Sequence, residues 1–161
     1  MTIGFWSGGI SGNTRSFLYA TGTQTARGTA GTLVSYTIPA GTLETDGDYI
    51  QADWMFTITG GAPDISVRMT ADGSQIAGGT YSQDNSEFRI LAQIIRSGTD
   101  TYSTSTTLLQ YQSPITIVTT NGTGTIAGTW GATAIQILGE ANIVNSGTIT
   151  SNLFTVGLYT S

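Results

Sequence analysis

From Tyr49 to Thr59 the chain reads YIQADWMFTIT, in which Ile50, Ala52, Trp54, Phe56 and Ile58 fall on every second position. Successive side chains of a strand point to opposite faces of a sheet, so this spacing places five apolar residues together and predicts a half-buried β-strand. Tyr49, Gln51, Asp53, Met55 and Thr57 then share the other face. One long strand of this kind needs partners and a second layer against its apolar side.

The partners are written in the same period. TLVSYTI aligns Val34, Tyr36 and Ile38, and DISVRMT aligns Ile65, Val67 and Met69. SEFRILAQIIR also fits a helical stripe through Phe88, Leu91, Ala92 and Ile95, but its neighbours are β-like and the strand reading through Phe88, Ile90, Ala92 and Ile94 is preferred. DTYSTSTTLLQY, SPITIVTT, TAIQILGEANIV and TITSNLFTVGLYT complete about eight strands joined by Gly-, Asn- and Ser-rich turns. Gly-Thr pairs recur at no fixed interval, which disfavours a solenoid or propeller. Eight short strands in a chain of 161 residues predict one all-β domain, a two-sheet antiparallel jelly-roll or related sandwich over residues 32–161.

Residues 1–31 read differently. Glycines and small polar residues surround a few large apolar ones, among them Ile3, Phe5, Trp6, Ile10, Phe17, Leu18 and Tyr19. Pure linker lacks such anchors. The segment is read as an extended N-terminal arm with adhesive points that lie across another surface, or tuck under the protein's own sheet.

Composition excludes several chemistries. Without cysteine or histidine there is no thiolate, no imidazole ligand and no histidine-based triad. Charged residues are 9% of the chain against roughly 25% in an ordinary domain, and a net charge of −5 gives no footprint for nucleic acid. No apolar run approaches the ~20 residues of a membrane span, and MTIGFWSGG lacks the pattern of a signal peptide.

Among the acids, ETDGD at Glu44 to Asp48 invites a calcium reading, but the helix–loop–helix calcium loop needs glycine at its sixth place and glutamate at its twelfth. Counting from Asp46, neither is present. A looser oxygen cage from Asp46 and Asp48 stands beside the plainer reading, in which Asp46 caps the turn, Gly47 supplies a positive φ and the acids face water. Asp53 sits inside a strand, where burial would shift a catalytic carboxylate, yet alternation puts it opposite Trp54, facing solvent or a subunit boundary. Arg68, Arg89 and Arg96 lie on or beside strands, and one is expected to pair with Asp53 or Glu87. Tyr81, Tyr111 and Trp130 lie outside clear core faces, flanked by amides and hydroxyls. Such rings either stack on a sugar or receptor surface or plug the ends of a sandwich.

Three passages carry a resemblance. LVSYTIPAGTLETDGDYI, SEFRILAQIIRSGTDT and the closing ITIVTTNGTGTIAGTWGATAIQILGEANIVNSGTITSNLFTVGLY resemble virion structural proteins of tailed bacteriophages and prophages, with SYTIPAGTL followed by DGD as the most specific mark and RSGT at Arg96 to Thr99 as the second. The resemblance covers roughly Gly31 to Tyr159. It implies a jelly roll similar to the tumour necrosis factor fold, a homotrimer, and no catalytic residue, metal or cofactor. It allows two locations, a capsid decoration or cement protein on the head exterior, made in the host cytoplasm, or a tail-fibre tip that binds a host receptor. With no coiled-coil shaft and only about thirty residues before the roll, the first is preferred, the arm residues Ile3, Phe5, Trp6 and Ile10 anchoring the trimer to the major capsid protein. In the second, Tyr81, Tyr111 and Trp130 are the receptor contacts.

Overall fold

The computed structural model describes residues 17–19, 22–24, 30–59, 65–71, 74–81, 86–111, 115–125, 130, 132, 134–143 and 148–160. Every regular element among them is a strand: β1 (Phe17–Tyr19), β2 (Gly22–Gln24), β3 (Ala30–Ile38), β4 (Tyr49–Thr59), β5 (Ile65–Ala71), β6 (Ser74–Tyr81), β7 (Ser86–Arg96), β8 (Thr101–Tyr111), β9 (Thr116–Thr125), β10 (Ile135–Ile143) and β11 (Thr148–Tyr159). One sheet runs β1-β11-β4-β7-β8-β9, with β2 also paired to β11; the other runs β3-β10-β5-β6. All pairings are antiparallel.

This order is that of a jelly roll with one addition. β1 and β2 pair with successive stretches of β11, at Thr155–Gly157 and Ile149–Ser151, and so fill one strand's place. Setting the β8–β9 hairpin aside leaves two four-stranded sheets, between which the chain crosses repeatedly, the double Greek-key arrangement of the roll. β1 and β2 fall within residues 1–31, so the first sheet draws on that segment; its residues 1–16 lie outside the described set.

The expected alternation sets the core. Ile50, Ala52, Trp54, Phe56 and Ile58 of β4 are buried, as are Phe88, Ile90, Ala92 and Ile94 of β7, so β7 is the strand that its neighbours implied. Phe56 lies directly opposite Phe88 and their rings stack at 5.3 Å. From the second sheet Val34, Ile38, Ile135, Ile137 and Ala141 complete the layer. Each large aliphatic or aromatic side chain so buried contributes roughly 1.5–3 kcal/mol. In β11 the buried positions change phase, from Ile149 and Ser151 to Phe154, Val156 and Leu158. A register shift between Ser151 and Leu153 absorbs the extra residue, Asn152, whose amide donates to the Thr57 hydroxyl at 2.6 Å.

On β10, opposite Val34 of β3 and facing Trp54 of the other sheet, the chain has Gly139. A Cβ there would stand 2.6 Å from Val34 Cγ2 and 2.9 Å from Trp54 Cε3, so only glycine lets β10 pass over the buried indole. The indole N–H donates to Ser151 Oγ at 3.0 Å, which satisfies the polar atom of the largest core side chain.

Candidate functional site

The acidic corner between β3 and β4 is held from inside. Gly41 and Gly47 take φ of 79° and 97°, values at which a side chain is strained. Leu43 is buried beneath the loop. Asp48, not Asp46, caps the turn: it is buried, and its Oδ2 accepts the Thr45 amide at 2.9 Å. Asp46 points outward and takes Arg96 Nε at 2.9 Å, while Arg96 Nη1 donates to the Leu43 carbonyl at 2.8 Å. The backbones lock as well, Gly47 N to Arg96 O at 3.0 Å and Arg96 N to Asp48 O at 2.9 Å. The corner that marks the resemblance is thus clamped to the last residue of β7. Among the described residues no three His, Cys, Asp or Glu side chains converge as metal ligands.

Asp53 lies on the outward face of the first sheet, as alternation requires, but it is buried there rather than open to solvent, because Arg89 of β7 grips it with both prongs of its guanidinium, at 2.9 and 2.6 Å. This is the cross-strand pair expected of one of the three strand arginines. Hydrogen bonding to Asp53 is the main influence on Arg89 and holds it further into its charged form; partial burial opposes this, and the Asp53 charge and the Tyr111 hydroxyl assist. The carboxylate is committed to a structural fork with Arg89.

The three candidate rings part company. Trp130 is 3% exposed; its indole N–H donates to the Thr101 carbonyl at 2.9 Å, its own amide donates to Thr99 O, and its ring meets Tyr102 edge-on at 6.2 Å. It plugs the end of the sandwich and leaves no open face on which a ligand could stack. Tyr111 closes β8 opposite Glu87 and is 40% exposed. Tyr81 ends β6 opposite Ile65, and its side chain lies outside the described set, as do Ile3, Phe5, Trp6 and Ile10.

Two surface features were not singled out by the sequence reading. On the outward face a shallow groove of about 250 Å³ is lined by Gln51, Leu91, Gln93, Ser105 and Thr107, with Gln51 directly opposite Gln93 and Gln93 opposite Ser105. Amides and hydroxyls without charge suit a neutral hydroxylated ligand. The signal was available in the same alternation, read for the outward set. The second feature is a cleft of about 160 Å³ between the edge strand β6 and the overhanging hairpin, lined by Gln75, Ile76, Ala77, Thr106, Leu108, Val118 and Thr120.

No family model matches the chain, and no curated protein does. Among solved structures the chain is similar to dimeric latent PorU from Porphyromonas gingivalis, over 100% of this chain and 14% of that one, at 7% identity and a TM-score of 0.47. It is similar to peanut lectin with a nine-residue peptide over 92% of this chain and 99% of the lectin, at 10% identity and a TM-score of 0.43. A structure of infectious bursal disease virus, Gx strain, is matched over 93% of this chain and 36% of that one, at 12% identity and a TM-score of 0.32. The strand ladders themselves define the roll.

Proposed function

We propose that the chain is a homotrimeric virion structural protein that decorates and reinforces the head of a tailed bacteriophage from outside. The observation that carries this reading is the corner from Pro39 to Asp48: its buried acid, its glycines and its arginine clamp are all turned to holding a loop and a strand together. A segment so committed serves a scaffold, in keeping with the resemblance of that same segment to phage structural proteins. In this reading the protein performs no catalysis, holds no cofactor, and engages neither nucleic acid nor membrane.

The mechanism is mass action. A trimer that binds only the assembled shell stabilises the shell by its binding free energy, and three weak feet act as one attachment through effective concentration. The feet are Ile3, Phe5, Trp6 and Ile10, and the major capsid protein is the partner. Co-sedimentation with purified shells tests this: the full chain travels with them, and a variant lacking Met1 to Gly12 stays behind while remaining folded. Equal decoration by the truncated chain would remove the arm from the mechanism, and no decoration by either would remove the capsid role.

The uncharged groove favours a second reading, a tail-fibre module that recognises a host surface glycan. Its test is adsorption of particles to host cells: Gln93→Ala and Tyr111→Ala weaken it if the groove and the ring beside Arg89 meet the receptor, and leave it unchanged if they do not.

A further inference from the structure

Strand β9 lies at the end of the first sheet, and among the described residues no strand pairs with its outer edge. Its partner β8 supports it through a ladder of ten residue pairs from Thr101↔Thr125 to Gln110↔Thr116. Nine of its ten residues are exposed, on both faces of the strand. Ile117, opposite Leu109, is 61% exposed, and Val118, opposite Leu108 on the cleft side, is 48% exposed. Ile115, just before the strand, is 61% exposed, and Tyr111 ends β8 close by.

Sheet edges are ordinarily blunted by charge, proline, bulges or shortness. The other edges of this protein follow that practice. β1 and β2 have three residues each, and the ladders of the edge strands β3 and β6 both carry register shifts. β9 has none of these devices. Its ladder has no shift, the strand has no proline, and the whole stretch from Thr101 to Gly139 has no charged side chain. Alternate amides and carbonyls of an edge strand point away from its neighbour, so one side of β9 presents a row of donors and acceptors that no described strand meets.

We infer that β9 is a contact between copies of this chain, its free edge, Ile117 and Val118 being covered by a second copy in the homotrimer proposed above, on which this inference rests. Charge selects the occupant. The chain is acidic, at −5, so two copies meeting through charged faces repel one another, whereas the β8–β9 hairpin brings no charge to the contact. A basic partner would find no acid on this hairpin, and the free edge asks for a strand, which the chain itself supplies in quantity. Ile115, Ile117, Val118 and Tyr111 expose their apolar side chains along this edge, and the Thr and Asn side chains of β9 widen the patch, as an interface of ~800 Å² per partner requires.

The experiment is light scattering across a dilution series on the full chain, with Ile117→Lys, Val118→Lys and a charge control, Gln136→Lys, on the exposed face of β10. The substituted β9 residues are exposed, so circular dichroism stays that of the folded protein. The expected result is a trimer for the parent and the control, and association at least about tenfold weaker for each β9 variant. Hydrogen exchange supplies a second readout: the outward amides of β9 exchange slowly in the assembled parent and quickly in either variant. If the parent and both β9 variants are equally stable trimers, β9 is not the contact and the trimer stands. If the parent forms another closed oligomer that both variants dissociate, the β9 contact stands and the threefold assembly falls. A monomeric parent removes both.

Discussion

Replacing Gly139 with alanine tests the close passage of β10 over Trp54 and beside Val34. The new Cβ would lie 2.6 Å from Val34 Cγ2 and 2.9 and 3.0 Å from Trp54 Cε3 and Cδ2, against the 3.5–4.0 Å of comfortable carbon contacts. Neither neighbour can turn aside. Trp54 is fully buried, tied to Ser151 and packed on Phe56, and Val34 is β-branched and buried. β10 must shift against Val34 of its own sheet and away from Trp54 of the facing one, which costs about 1–3 kcal/mol as overpacking does elsewhere. Against this, alanine restricts the unfolded chain and returns about 0.4–1 kcal/mol. The difference spans about 0–2.6 kcal/mol, and contacts this short with two buried neighbours put it in the upper part, a loss of about 1–2.5 kcal/mol, seen in urea as a lower midpoint at unchanged slope and in a melt as a fall of roughly 2–10 °C. Val34→Ala removes the nearest clashing atom, so in that background Gly139→Ala costs about 1 kcal/mol less than alone. The sign decides the matter: if Gly139→Ala is as stable as the parent or more so, backbone entropy is the whole effect and the close approach is not real.

Ser151→Ala leaves the buried Trp54 N–H without its acceptor and lowers stability by about 1–3 kcal/mol in urea titrations; a loss below about 0.5 kcal/mol would mean that the indole has found another partner. At the corner, Asp46→Ala removes an ion pair whose carboxylate side chain is 63% exposed and costs at most about 1 kcal/mol. Arg96→Ala also strips the donor from the Leu43 carbonyl and costs about 1.5–3 kcal/mol, with faster amide exchange at Gly47 and Asp48; equal effects from the two substitutions would refute the clamp.

What could be read from the letters was whatever depends on period and local turn chemistry. β4 announced its buried face residue by residue, and Gly47 announced a positive φ. β7 carried a competing helical stripe, and its strand neighbours decided in favour of the sheet. The acidic corner shows the limit. That an aspartate caps the turn was legible, but Asp46 and Asp48 are equivalent by local rules, and the choice is made by Arg96, fifty residues further on, which takes Asp46 and leaves Asp48 to fold inward. Trp130 likewise had two readings until Thr101 and Tyr102 were seen to enclose it. β1 and β2 are too short to show any period. In β9 the letters told of a strand but not that both its faces stay uncovered, because burial depends on what lies above a strand.

The placing of β10 and β11 governs how the chain comes into being. β11 lies between β1 and β4, and β10 between β3 and β5, so each layer lacks a middle member until β10 and β11 have been synthesised. A nascent chain emerging from a ribosome can zip β5–β6 and β4–β7–β8–β9 by itself, but β3 has no strand to join it to β5 and β4 keeps one edge open, so their oily sides wait in water. Closure of the two sheets accordingly waits for β10 and β11. Shortening the chain within β11 would yield not a slightly weaker protein but a collection of hairpins prone to stick to one another.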